Sequence, residues 1–292
     1  MEQERALVMR DGVCIAYRLS LANQARGVIV LLHGMASNMS RWSEFVARTS
    51  LREDWDIARL DLRGHGHSRY RGKYSMETWC EDLEQILDQE RRERAVFIGH
   101  SMGALAALWF AHLSPSRVRA LILIEPSFPD AMLGHTAILK RFRLLIAGAA
   151  CLVRGFNAIG LGRRRIRSRD LWELDRKTRR ALLESGDREE MIREYTSMWA
   201  DLEYNPLAIY LQDLTQQLRP LPGLRGIEAP VLTLLSSDTR FTDRAMTDRI
   251  LSELPRCETV TLSATHWPLT ETPDEVRNAI EQWLHGKIAE TG

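Results

Sequence analysis

The sequence predicts an α/β fold: a mainly parallel eight-stranded sheet with helices on both faces and an inserted helical stretch. Three observations predict it. Short apolar runs alternate with helical stretches along most of the chain, the pattern of parallel strands whose connecting helices cover both faces of the sheet. Two segments near 5–10 and 13–18 flank Asp11-Gly12 and read as an antiparallel hairpin at the sheet edge. From about Phe128 to Arg219 the strand pattern stops, and a helical, charge-rich stretch intervenes before the sheet resumes. The expected organisation is therefore a core of residues 1–127 and 219–292 interrupted by an insertion of residues 128–218.

Each element follows from a local signal. After the hairpin, strands are expected near 27–32, 56–61, 95–99, 119–125, 230–235 and 258–262, where short apolar or β-branched runs end in polar or glycine-bearing turns. Helical periodicity is clearest near 75–90, 101–113, 243–253 and 273–286. With 292 residues and 45% apolar content, the chain is long enough to bury a large core. Its formal charge of +1 gives no general pull toward nucleic acid. Cys14, Cys80, Cys151 and Cys257 are too scattered for a zinc or disulfide pattern and read as free thiols in a reducing compartment. The N-terminus opens with acids and lacks a signal-like apolar stretch, and no run reaches the length of a bilayer span, so a cytoplasmic location is expected.

The chemistry concentrates around Ser101. Val96-Phe97-Ile98 runs into Gly99-His100-Ser101-Met102-Gly103 and then an Ala/Leu-rich helical stretch. A strand that reverses this sharply into a helix brings backbones too close for side chains two positions either side of the serine, and leaves Oγ exposed on a strained turn. The same turn sets the Met102 amide at a helix N-terminus, where it can hold an oxyanion. Val231 to Leu235 is a buried-strand signature that ends at Ser236-Ser237-Asp238, making Asp238 the candidate orienting acid. Thr259 to Leu262 reads as another strand, and His266 lies in the loop beyond it as the candidate general base. Serine, acid and histidine in that chain order differ from the chymotrypsin and subtilisin orders.

With these residues the chain resembles the α/β-hydrolase family. His33-Gly34 closes the run Val28 to Leu32, Asp61 to Ser68 looks like the family's DxRGxGxS turn, and His266-Trp267-Pro268 with Pro273 resembles its H-[FW]-P ending. The resemblance covers about residues 28–127 and 228–285, with two departures. Leu235 and Ser236 stand where many members have a glycine before the acid, and no tryptophan follows Ser101 as in some lipase-like subgroups. The resemblance implies that Met35 supplies the second oxyanion amide and that the insertion is a cap over the Ser101 mouth. It also makes Glu125, at the end of the strand Leu121 to Ile124, an alternative acid, since some members take theirs from that strand. Phe128, Met132, Leu133, Phe142, Phe156, Met198, Trp199 and Tyr204 are candidates to line a substrate pocket or to hold cap helices together.

The expected function is that of a serine hydrolase, a carboxylesterase acting on small to medium acyl esters through Ser101, His266 and Asp238 and an acyl-enzyme, with no cofactor and no metal. A serine in the elbow excludes the aspartate-dependent dehalogenase and epoxide hydrolase relatives. Lactonase, thioesterase, C–C hydrolase and cofactor-free perhydrolase chemistry share the same triad, and a non-catalytic ligand-binding protein of this fold stays open. His100 is expected to be structural, and His65 and His67 to serve their glycine-rich turn rather than a metal. One feature lies outside this chemistry: residues 140–169 hold nine Lys/Arg and no Asp/Glu. Lys140, Arg141, Arg143, Arg154, Arg163, Arg164, Arg165, Arg167 and Arg169, with apolar residues interspersed, suit an anionic carrier or a lipid surface, or a solvated face balanced by the acids that follow.

Overall fold

The computed structural model describes residues 2–161 and 167–291. Eight strands form one sheet: β1 (Glu2–Val8), β2 (Cys14–Ser20), β3 (Val28–Leu32), β4 (Asp56–Leu60), β5 (Ala95–His100), β6 (Val118–Ile124), β7 (Val231–Ser236) and β8 (Cys257–Leu262). Their spatial order is β1-β2-β4-β3-β5-β6-β7-β8. β1 and β2 are antiparallel, β2 meets β4 antiparallel, and every later pairing is parallel. The hairpin begins three residues earlier than its sequence signal, because the turn closes over Met9 to Val13, where the Met9 amide donates to the Val13 carbonyl at 2.7 Å.

Before the insertion the helices are α1 (Ser43–Arg48), α2 (Met76–Gln89) and α3 (Met102–Leu113). Between β6 and β7 come α4 (Gly134–Arg141), α5 (Arg143–Ala158), α6 (Leu171–Ser185), α7 (Arg188–Tyr195), α8 (Met198–Tyr204) and α9 (Leu207–Gln217). After β7 follow α10 (Arg244–Leu251), α11 (Pro268–Glu271) and α12 (Pro273–Thr291).

Continuous apolar strands are what a parallel sheet covered on both faces requires, and β3, β5 and β7 are buried along their whole length. The two-residue period divides their side chains between two cores. Val28, Val30, Leu32, Phe97, Leu121 and Leu123 join residues of α2, α3 and α10 on one face. Ile29, Leu31, Val96, Ile98, Ile122 and Ile124 join Phe45 and Val46 of α1 and Val276, Ile280 and Trp283 of α12 on the other. β8 is an edge strand and exposes Glu258 to Thr261.

Two buried polar clusters fasten the inserted helices to the sheet side. Asp213 of α9 accepts from the Tyr74 hydroxyl at 2.6 Å and meets His65 Nε2 at 2.9 Å. Asp175 of α6 accepts from Arg41, from Thr270 Oγ1 at 3.0 Å and from the Tyr195 hydroxyl at 2.7 Å. Arg179, one turn further along α6, grips Glu44 at 2.6 Å and the Thr270 carbonyl at 2.8 Å.

Candidate active site

β5 delivers Ser101 at the sheet's C-terminal edge. The turn into α3 holds Ser101 at φ 53° and ψ −114°, a region ordinary side chains avoid at a cost of about 1–3 kcal/mol. The flanking glycines are a steric necessity: a Cβ on Gly99 would lie 2.4 Å from the Gly103 backbone, and one on Gly103 would lie 2.4 Å from the Leu32 carbonyl. The close approach of α3 to the end of β3 therefore sets Met102, at the helix start, beside the His33-Gly34 loop. Gly34 itself sits against Ser101, where an added Cβ would be 3.3 Å from the serine Cβ. Met35 follows directly and is partly buried against the core.

His266 arrives from the loop after β8. Its Nε2 lies 3.0 Å from Ser101 Oγ, and its Nδ1 lies 3.1 Å from Glu125 Oε2. The loop is pinned on both sides of the ring. Thr265 donates its backbone N–H to Glu271 Oε1 at 2.8 Å, and His100 Nε2 reaches the His266 carbonyl at 3.0 Å. Burial pushes the His100 imidazole down to about 3, with His266 adding to the effect, so His100 is neutral and donates to that carbonyl.

The carboxylate that faces His266 differs from the sequence expectation. Asp238 is not the residue brought to His266. The chain beyond β7 stays bonded to the β8 side, with Ser237 N donating to the Leu262 carbonyl at 2.8 Å and Asp238 N to the Ala264 carbonyl at 3.3 Å. The Asp238 carboxylate turns instead to Arg240, accepting from its backbone N–H at 2.9 Å and its guanidinium at 3.0 Å. Glu125 takes the place facing the imidazole. It leaves β6 at φ 47°, and its second oxygen accepts from the Ser236 backbone N–H at 2.5 Å. Ser236, one of the two residues that depart from the glycine pattern before Asp238, is the backbone donor that holds Glu125.

The DxRGxGxS turn is a scaffold for the loop that follows β3. Asp61 accepts from Met39 N and His67 N, each at 2.7 Å, and Leu62 N donates to His33 Nε2 at 3.1 Å. His33 is buried and held well below the ordinary histidine range by that burial, with His65 nearby adding to it. Burial would depress His65 too, but Asp213 outweighs it and raises that imidazole.

Of the candidate pocket residues, Phe128 and Met132 are buried in or near the core. Leu133, Phe142, Phe156, Met198 and Trp199 are exposed. Tyr204 lines a cleft of about 720 Å³ that runs from Ala36 and Ser37 past Gly64 to Val153, Asn157 and Ile209. A wall the sequence did not single out stands beside His266: Phe241 and Trp267 lie 6.0 and 5.5 Å from its ring, and α7 packs Met191 and Ile192 against Trp267. No motif marks α7, since its contact with the His266 loop exists only once the insertion has folded back.

A family model described as the alpha/beta hydrolase family matches residues 29–279. The chain belongs to the alpha/beta hydrolase family. The esterase YbfF of Escherichia coli is 24% identical over 262 residues, covering 88% of this chain and 92% of that protein. Two solved structures share the fold along nearly the whole length. A hydrolase from Pseudomonas aeruginosa PA01 has a TM-score of 0.69 at 23% identity, covering 97% of this chain and 98% of its own. The enol-lactonase from Burkholderia xenovorans LB400 has a TM-score of 0.68 at 19% identity, covering 96% of this chain and 100% of its own. The protein is accordingly a hydrolase of this family, with esterases among its relatives.

Proposed function

We propose that the protein is a serine carboxylesterase working through Ser101, His266 and Glu125. One observation carries the reading: a single imidazole bridges Ser101 Oγ at 3.0 Å and the Glu125 carboxylate at 3.1 Å. In the proposed cycle Ser101 Oγ attacks the ester carbonyl while His266 Nε2 takes its proton, and Glu125 holds the ring by its Nδ1–H and offsets the charge that forms. The carbonyl oxygen becomes an oxyanion held by the Met35 and Met102 amides; loss of one such donor typically costs about 3 kcal/mol. Collapse breaks the ester C–O bond, and His266 returns the proton to the leaving alcohol. Water then repeats the sequence on the acyl-serine, releasing the acid and regenerating Ser101.

The inserted helices act as a cap in this reading. The cleft beside Ala36, at about 720 Å³, lies within the size range of small-molecule sites. A fluorophosphonate probe tests the mechanism directly. Covalent labelling of the protein that disappears in Ser101→Ala, together with loss of hydrolysis of short p-nitrophenyl esters by several orders of magnitude, is the expected result. Unlabelled wild-type protein would leave a binding function on this fold.

A further inference from the structure

The cleft that starts at Ala36 collects positive charge. Arg69, Arg71, Arg167 and Arg169 line it, and among the described residues of its lining there is no Asp or Glu. Arg69, Arg71 and Arg167 are exposed and form no ion pair among the described residues, whereas Arg169 meets Glu194 at 3.4 Å. The carboxylates of the surrounding loops and of α9 are engaged elsewhere. Arg63 takes Asp82 at 2.6 Å together with Asp11, Asp61 accepts from Met39 N and His67 N, and Asp213 is held by His65 and Tyr74. Both basic segments are fastened in place. Asn38 Nδ2 donates to the Arg169 carbonyl at 2.8 Å and Leu171 N to Ser40 Oγ at 2.9 Å, which ties the cap segment to the loop after β3. Gly64 N donates to the Ser68 carbonyl at 2.8 Å, next to Arg69. The same lining holds the apolar side chains of Val153, Leu161, Leu207 and Ile209. Of the basic stretch from 140 to 169, Arg167 and Arg169 reach this cleft among the described residues; Lys140 pairs with Asp130, and Arg163, Arg164 and Arg165 lie outside the described residues.

We propose that this cleft holds the anionic end of the substrate, and that the ester cleaved at Ser101 carries a carboxylate or a phosphate. Arg69, Arg71 and Arg167 leave guanidinium groups whose paired N–H donors match either anion with two parallel hydrogen bonds. Their summed field also draws an anion from solution. The cleft opens close to the serine: Gly34 sits against Ser101, and Ala36 follows two residues later, at most about 7.6 Å further along the backbone. The apolar side chains of the lining cover the uncharged part of the ligand. This substrate class rests on the esterase reading of Ser101, whereas binding of the anion is measured apart from turnover, with Ser101→Ala.

The test compares kcat/KM for two pairs of esters: monomethyl suberate against dimethyl suberate, and butyrylglycerol phosphate against butyrylglycerol. In at least one pair the anionic member should be favoured by about tenfold or more, and the pair with the larger preference identifies the anion. Added salt should shrink that preference. Arg69→Gln/Arg71→Gln/Arg167→Gln should cut it by about tenfold or more, chiefly through KM, because one hydrogen bond to a charged group typically contributes about that factor. All three side chains are exposed, and unchanged circular dichroism confirms that the variant is folded. Calorimetry of Ser101→Ala with monomethyl suberate and with butyrylglycerol phosphate should show binding of the preferred anion that the same three substitutions weaken by a similar factor. Preference for neither anionic ester, or a preference that the triple variant leaves intact, overturns the proposal. So does an equal loss on both members of a pair; the arginines would then shape the cap rather than hold an anion. Arginine-dependent binding to Ser101→Ala, in a protein that hydrolyses no ester, upholds the anion site and overturns the esterase reading instead.

Discussion

At the residue scale, the choice of acid turns on where a carboxylate can reach. Glu125 is one methylene longer than an aspartate and leaves its strand through a left-handed turn at φ 47°. It thereby spans from the end of β6 to the imidazole while its other oxygen is held by Ser236 N at 2.5 Å. Asp238 already satisfies the Arg240 backbone and guanidinium. Glu125→Gln is therefore expected to lower kcat by on the order of 10⁴, the loss seen when a triad acid becomes a neutral amide. Asp238→Asn should leave kcat within a few-fold of wild type, and steady-state kinetics on one ester compares the two. Equal losses would mean that neither carboxylate alone orients the ring. Ser101 and His266 were legible in the sequence because each ends a strand in a motif whose chemistry needs that residue type. The carboxylate facing the imidazole was legible only as one of two, Asp238 or Glu125, since two strands both lead into a carboxylate, and which one turns inward depends on backbone conformation that residue spacing does not encode.

At the scale of elements, the sheet strands and helices α2, α3, α10 and α12 were readable from period and breakers, but the short α1 and the orientation of the inserted helices were not. In α5 the period is present but misleads, because the stripe of Leu144, Leu145, Leu152 and Phe156 faces out while the side with Ala150 packs along α9. Phe142 and Phe156 looked like pocket residues and point to solvent. The Arg41–Asp175 pair is invisible for another reason: its partners are 134 residues apart and meet only when α6 docks beside α11. Their side chains are 7% and 4% exposed. Burial alone would ease the Arg41 guanidinium toward neutrality, but Asp175 outweighs it and keeps the charge. Asp175→Ala should cost about 3–5 kcal/mol, because it strands a buried cation. Arg41→Met/Asp175→Leu should recover most of that loss. Urea midpoints of the single and double variants measure the difference, and a double variant as unstable as Asp175→Ala would mean that packing, and not charge, joins α6 to the sheet.

At the scale of the whole molecule, one carboxylate of the insertion, Asp201, stands apart from Asp175 and Asp213, which basic and hydroxyl side chains meet. The carboxylates around the sheet, such as Asp61 and Glu125, are met by backbone N–H groups and basic side chains, whereas Asp201 in α8 is raised to about 7 by burial, with Arg169 only partly offsetting it. The sign follows from linkage. A carboxyl whose folded pKa lies above its unfolded value of 3.8 binds its proton more tightly in the folded state. Its contribution to stability is fully present below pH 3.8 and is lost as pH rises through about 7. Asn at this position keeps the shape of the protonated acid and never ionises. Asp201→Asn should thus match the wild type near pH 4 and become the more stable protein as pH rises, by up to about 1.4 kcal/mol per pH unit and a few kcal/mol by pH 8. Urea unfolding of both proteins at pH 4.5, 6 and 8 gives the difference directly. A constant difference across that range would show that Asp201 is ionised throughout, and that Arg169 rather than burial governs the α8 end of the insertion.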